Sequence, residues 1–388
     1  MTYAGAAGIP PRPADAATAI VDGVPLPGLG QNGGERGSEM ARVTLQTIAD
    51  EVGVSRMTVS NAFSRPDQLS AALRAQILDA AARLGYSGPD PAGRALARGR
   101  TGVIGVVLTN SPRDAFADEV AVGFLRAVAA TLADEGYSLV LLHSSERSDV
   151  DPVRDIAMDG AIVYSCAPRA REVTALRERR LPVVTVESAP LGDEPRILLD
   201  DAAGSGQAAA HLLEQGHRDI AVVVTSVDAA DEPLDPAHRG RASGTIGRRL
   251  DGWASVLTGA GVVPRIVGTP GFDVDDVLRE RIAAMLDDPP TAVLAFSDLA
   301  ALEVIGQARD RGLRVPEDLS VVGFDDSPLA ARVSPPLTTV RQDVDAKGTA
   351  AATTLLALLR GERRPDLTLP TSLVVRGSTG RPPVVAAG

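Results

Sequence analysis

The sequence predicts two kinds of architecture in one chain: a small all-α head, then an α/β body of two doubly wound parallel-sheet lobes. Three observations carry this. Residues 44–86 repeat apolar positions at helical spacing, interrupted by a glycine turn. From Thr101 onward, apolar β-branched runs alternate with amphipathic stretches. A length of 388 residues also exceeds what one hydrophobic core supports.

In the head, Leu45, Ile48, Ala49 and Val52 fall at i, i+3, i+4 and i+7, and Thr44 is placed to cap that helix. Gly53 follows, where a tight turn needs positive φ. Ser55 caps a second helix, with Met57 or Thr58, Val59 and Ala62 as its inner side. Ser70 caps a third, with Leu73, Ile77, Ala80 and Leu84 inward and Gly85 at its end. Two short helices around a glycine turn form a helix-turn-helix pattern.

In the body, Val103–Leu108, Leu139–Leu142, Ala161–Tyr164, Val183–Val186, Ile220–Val224, Ala292–Phe296 and Leu319–Phe324 read as strands. Continuous apolar strands between helices mean parallel sheets covered on both faces. Asp228–Gly244, rich in Pro, Gly and Asp, reads as a surface loop. Residues 1–40 lack periodicity and read as a disordered extension. Met40 followed by Ala41-Arg42-Val43-Thr44 has the form of an alternative start, which intact mass of the native protein would settle.

Composition narrows the function. Residues 41–101 hold eight arginines against five acids, although the whole chain carries a net charge of −11. A basic segment on an acidic body suits a nucleic-acid contact region. Cys166 is the single cysteine, so no internal disulfide or thiolate cluster can form; it reads as a small buried thiol. No run approaches the apolar length of a membrane span, and the N-terminus lacks a signal-peptide pattern, which makes a cytoplasmic protein the expectation. Four histidines without close Cys or carboxylate partners suggest no metal site, and no cofactor is expected; His211 and His217 read as structural. No phosphate-cradling glycine loop, nucleophile elbow or paired acid/base signature appears, so no catalytic residue is assigned.

The stretch from Thr44 to Asn61, with Leu69-Ser70 and Leu84-Gly85-Tyr86, resembles the head-piece of the lac-repressor (LacI) family. Pro91-Ala92-Gly93-Arg94-Ala95-Leu96-Ala97-Arg98-Gly99-Arg100-Thr101 resembles the family's hinge helix. Between Tyr86 and Pro89 the chain has Ser87-Gly88, one residue more than the family pattern, and Asn61 stands where Arg is more usual. The body resembles the family's periplasmic-binding-protein-like core through Asp159-Gly160, His211 to Ile220, Arg249 to Trp253, Phe296-Ser297-Asp298, Val322 to Asp326 and Pro335 to Gln342.

The resemblance implies four segments: an extension over 1–40, the DNA-binding domain over 41–87, a hinge helix and linker over 88–101, and an effector-binding and dimerisation core over 102–388. It implies a homodimeric regulator, more often a repressor, that binds a palindromic double-stranded DNA operator and responds to a small molecule, usually a sugar. With no leucine heptads after Leu359, a dimer is expected rather than a tetramer. Ser55, Arg56, Met57, Thr58, Ser60 and Asn61 are the candidates for base edges; Arg56 suits guanine and Asn61 adenine. Thr44, Leu45 and Ser70 are candidates for the backbone, and Arg94 and Leu96 for the minor groove, with Leu96 as the wedge. For the effector the candidates are Arg249, whose planar fork suits vicinal hydroxyls or a carboxylate, with Asp298, Phe116 and Glu187. A sugar-binding transport protein shares the two-lobed body but would lack the head.

Overall fold

The computed structural model describes residues 43–88, 93, 95, 99–108, 112–143, 151–164, 170–188, 192–235, 244–271 and 273–383. The extension over 1–40, Arg94, Leu96 and Cys166 lie outside the described residues. The chain folds as two compact units, one ending at Pro89 and one beginning at Asp90.

The first unit is helical: α1 (Leu45–Val52), α2 (Arg56–Ser64) and α3 (Ala71–Arg83). Each helix starts where a hydroxyl satisfies an orphan backbone N–H. Thr44 and Thr47 cap α1 reciprocally, each backbone N–H donating to the other's hydroxyl at 3.3 Å. Ser55 accepts from Thr58 N at 3.0 Å, and Ser70 from Leu73 N at 3.3 Å. Gly53 closes α1 at φ 74°, in the left-handed region that the expected turn requires. Ile48, Ala49, Val59, Ala62, Ile77 and Ala80 interlock as the core, as the spacing predicts, and Ala81 joins them. Phe63 meets Tyr86 edge-to-face at 5.8 Å and closes the open end.

The second unit has two lobes. Lobe 1 begins with β1 (Val103–Leu108), α4 (Pro112–Ala117), α5 (Glu119–Asp134), β2 (Ser138–Leu142), α6 (Pro152–Asp155) and β3 (Gly160–Tyr164). It continues through α7 (Ala170–Glu178), β4 (Val183–Val186) and β5 (Arg196–Leu199). The chain then crosses into lobe 2: α8 (Asp201–Gln215), β6 (Ile220–Val224), β7 (Ala229–Pro233), α9 (Gly244–Gly259) and β8 (Arg265–Gly268). There follow α10 (Asp276–Met285), β9 (Ala292–Ala295), α11 (Asp298–Asp310), β10 (Ser320–Asp325) and β11 (Thr338–Gln342). A second crossing returns α12 (Val344–Leu359) and β12 (Leu367–Leu369) to lobe 1, and a third ends on β13 (Thr371–Val374) in lobe 2.

The sheets run β12-β5-β4-β3-β1-β2 and β13-β11-β10-β9-β6-β8-β7. Every pairing in the first is parallel; in the second only the edge strands β7 and β13 pair antiparallel. The seven runs predicted as strands are all strands. Part of the predicted loop over 228–244 is instead the edge strand β7. Its sequence, Ala-Ala-Asp-Glu-Pro, has no β-branched residue and pairs only because β8 offers an open edge.

The three crossings lie together. Asp200 N donates to Leu369 O at 2.9 Å, and Thr371 Oγ1 donates to Asp200 O at 2.7 Å, so the first and third are tied. Where the chain enters lobe 1, Asp159 accepts from Thr101 N at 2.6 Å, Thr101 Oγ1 at 2.9 Å and Gly102 N at 2.8 Å. Helices α8 and α9 pack without a gap. A Cβ on Gly252 would stand 2.3 Å from Ala202 O, so only glycine lets α9 approach this closely. That approach sets Arg249 against the start of α8.

Candidate DNA-reading head and effector cleft

In the head, caps and the candidate reading residues share the start of α2. Arg56 is exposed, and Met57 is 70% exposed, which removes Met57 from the inner side of the helix. Thr58 and Ser60 are half-buried, and Thr58 Oγ1 lies 2.8 Å from Ser55 Oγ. Asn61 donates to Gln68 Oε1 at 3.2 Å, so its amide is already engaged. Leu45 packs partly onto the core, while Thr44, Ser55 and Ser70 are exposed caps. The outer start of α2 therefore presents Ser55, Arg56 and Met57 to solvent, and its inner side is Val59 and Ala62.

In the body, carboxyl ends of strands from both lobes border a cavity of about 230 Å³. Arg249 and Glu187 line it; Asp298 and Phe116 do not. Phe116 stands on α4 with 63% of its surface exposed, and the ring that reaches the cavity is Phe296. Asp298 follows its strand as expected, but its carboxylate turns inward. It accepts from Thr339 Oγ1 at 2.5 Å and Ser327 N at 2.7 Å, and so brackets the ends of β10 and β11. Burial pushes its carboxyl up to about 6 against those hydrogen bonds.

Arg249 is the buried centre of the cleft. Its Nε donates to Asp201 Oδ1 at 3.0 Å, one terminal nitrogen donates to Phe296 O, and the other lies 3.7 Å from Asp325 Oδ1. The guanidinium sits 3.5 Å over the Phe324 ring. Burial disfavours its charge, and Asp201, Asp325 and Glu187 more than restore it. Asp201 also binds Arg248 at 2.9 Å; burial nevertheless raises its carboxyl.

From lobe 1, Glu187 pairs with Lys347 at 3.2 Å. Lys347, the one lysine of the chain, is fully buried on α12 and donates to Gln342 Oε1 at 2.7 Å. The Gln342 amide in turn donates to Asp325 Oδ1 at 2.6 Å. A chain of contacts thus runs from Glu187 in lobe 1 through Lys347, Gln342 and Asp325 to Arg249 in lobe 2. Gln342 is the residue before a crossing. Three cavity-lining residues, Glu187 (φ 58°), Ser226 (φ 58°) and Asp325 (φ 121°), hold left-handed backbones unusual for non-glycine residues. Such strain clusters at ligand sites because the surrounding fold must impose it.

Reasoning from sequence did not single out Asp118, Gln342, Asp325 or Lys347 as site residues. A lone lysine, and two adjacent carboxylates ending a strand, were the available signals. His211 bonds Thr379 Oγ1 at 2.9 Å, and His217 bonds Thr291 Oγ1 and Gly380 O, both at 2.9 Å. Burial lowers both imidazoles. Among the described residues no cluster of His, Cys, Asp and Glu can hold a metal, and no helix is long and apolar enough to cross a membrane.

Fold and site together define a helix-turn-helix head followed in the chain by a two-lobed ligand-binding body. The sequence profile described as bacterial regulatory proteins, lacI family, matches residues 44–88, and that of a periplasmic binding protein-like domain matches 209–379. The chain is 36% identical to the HTH-type transcriptional regulator IpsA of Corynebacterium glutamicum over 345 residues, covering 85% of this chain and 95% of the relative. Among solved structures, the lac repressor dimer bound to operator and the anti-inducer ONPF superposes with TM-score 0.67 at 26% identity, over 87% of this chain and 99% of that one. The transcriptional regulator CelR–cellobiose complex superposes with TM-score 0.59 at 28% identity, over 87% of this chain and all of that one (100%). The chain belongs to the lacI family of bacterial transcription regulators.

Proposed function

We propose that this protein is a cytoplasmic homodimeric repressor that binds a palindromic operator and is switched by a small polyhydroxylated effector held between its lobes. The observation that carries the reading is the contact chain from Glu187 to Arg249, which spans both lobes beside a crossing and borders the cavity. A ligand that bonds both ends biases one lobe arrangement over the other, and a two-state body can pass that bias to the segment entering at Thr101. The solved relatives give the ligand types: an operator and ONPF for the lac repressor, cellobiose for CelR.

In the head, Ser55, Arg56, Met57 and Ser60 read base edges, with Arg56 on guanine, while Thr58 and Asn61 support that face. Thr44, Leu45 and Ser70 sit against phosphates and sugars. Arg94 enters the minor groove, and Leu96 wedges the central base step, a role that rests on the family pattern. Arg249 and Glu187 hold the effector.

Fluorescence anisotropy on the promoters of the protein's own and neighbouring genes, with and without a sugar panel, tests this. We expect palindrome-specific binding, lost on Leu96→Gly and altered by a sugar only while Arg249 is intact. Binding with no sequence preference above a salt-sensitive background sinks the reading.

A further inference from the structure

We infer that Asp118 selects the charge of the effector: the cleft takes a polyhydroxylated ligand without negative charge, whose hydroxyl or ammonium hydrogens bond to this carboxylate. The inference rests on the interlobe cleft being the effector site.

Asp118 lines the cavity from lobe 1, where it is the N-cap of α5. One carboxylate oxygen accepts from Val120 N at 2.9 Å. Among the described residues Asp118 forms no ion pair. Glu187, Asp273 and Asp325 border the same cavity, so carboxylates reach it from both lobes.

The cations described near the cavity, Lys347, Arg248 and Arg249, are already engaged. Lys347 is turned to Glu187 and Gln342 in a fully buried position. Arg248 is on Asp201 and Thr245, and Arg249 is divided among Asp201, Phe296 O and Asp325. Among the described residues, a carboxylate or phosphate entering here meets Asp118 and Asp325 and no cation that is not already engaged. A hydroxyl or ammonium finds acceptors on both walls. Burial is the main reason the Asp118 carboxyl lies above its ordinary range, with Glu187 adding to the effect and backbone N–H groups and Lys347 opposing it. A donor that bonds to the carboxylate would relieve that cost.

The test compares matched sugars that differ in charge: glucose, glucosamine and glucuronate, with the corresponding galacto and manno sets. Since Lys347 is the only lysine, full-length protein carrying [ζ-15N]lysine gives one side-chain resonance, 2.7 Å from Gln342 of the cleft. Titration of that signal, checked by Trp253 fluorescence, gives each affinity. In any set that binds, the acid is expected at least about tenfold weaker than the neutral sugar, with the amine equal to it or tighter. In Asp118→Asn the gap between acid and neutral sugar should close to within about threefold, and any gain for the amine should vanish.

Asn caps a helix as well as Asp does, so this variant should keep the parent melting temperature, and Asp118→Ser gives a second neutral cap. The inference is overturned if an acid binds as well as its neutral partner, if discrimination survives in both variants, or if none of the sugars moves the signal. Operator binding by the same unliganded wild-type preparation keeps the two readings apart. Its absence removes the repressor reading, whereas its presence beside the wrong order of affinities removes this inference alone.

Discussion

The head and the cleft dispose their polar side chains in opposite ways. Around the start of α2, caps and apolar contacts hold the helix, so Arg56 and Met57 face solvent. In the cleft, Arg249, Lys347, Asp201 and Asp325 hold one another, and a ligand must fit what that network leaves open. A surface that reads an extended polymer can keep its readers exposed and unpaired. A site that closes on a small molecule must bury charge, and buried charge must be partnered. Cleft substitutions should therefore cost the body stability, whereas those on the reading face should cost affinity without stability.

The largest effect is expected at Arg249. Arg249→Met fills similar volume but removes the cation between Asp201 and Asp325, at a cost of about 3–5 kcal/mol to the body. Denaturant unfolding followed by Trp253, which is buried one turn further along α9, reads it directly. Adding Asp201→Asn should recover part of the loss. An unchanged midpoint in the single variant would mean that solvent screens the network, and the contrast with the head would fail.

Asp298 gives the next effect, through pH. Its carboxyl is raised from 3.8 to about 6, so the native state binds the proton more tightly than the unfolded chain does. The stability this contributes is fully present below the unfolded value. It is lost as pH rises through about 4 to 6, on the order of 3 kcal/mol at a cost of ~1.4 kcal/mol per pH unit. Asp298→Asn should flatten that part of the stability–pH curve. Two parallel curves would show that Asp298 is not the group responsible.

The same contrast explains what the sequence made legible. The head is local: Thr44, Ser55 and Ser70 announce their helices, and a period of 3.6 selects Ile48, Val59 and Ile77. Seven strands, β1 to β4, β6, β9 and β10, showed through as apolar runs because both faces of the sheets are covered, whereas β5, β7, β8, β11 and β13 were not singled out. β12 was not legible, as a short exposed edge with little periodicity. In the cleft, Arg249 could be named from the family pattern, but its partner Asp201 lies 48 residues away and Asp325 further still. Nothing local distinguishes the inward turn of Asp298 from an outward one, since its direction is set by Thr339 on another strand. Glu187 was named, yet the lysine that pairs with it comes from α12 and is found only through the fold.

A smaller effect belongs to the caps. Ser55→Ala removes the acceptor for Thr58 N and should destabilise the head by about 1 kcal/mol. The body, a separate compact unit, should keep its Trp253 transition. Calorimetry of the full chain resolves this, and an equal shift of both transitions would show that the units melt together.

The smallest stability change is expected at Met57, where the comparison becomes sharpest. Met57 and Val59 are two residues apart on α2, one 70% exposed and the other fully buried. Met57→Ala removes little buried surface, so stability should move by less than about 0.5 kcal/mol. If Met57 meets the operator, affinity should fall about five- to tenfold, near ~1 kcal/mol. Val59→Ala should do the reverse, destabilising the head by a cavity cost of about 1–2 kcal/mol while the fraction that remains folded binds operator normally. Thermal melts and anisotropy on both variants separate the two axes. Should Met57→Ala leave operator affinity unchanged, the reading face must be narrowed to Ser55, Arg56 and Ser60, and the exposed methionine would be a surface residue without a role in DNA binding.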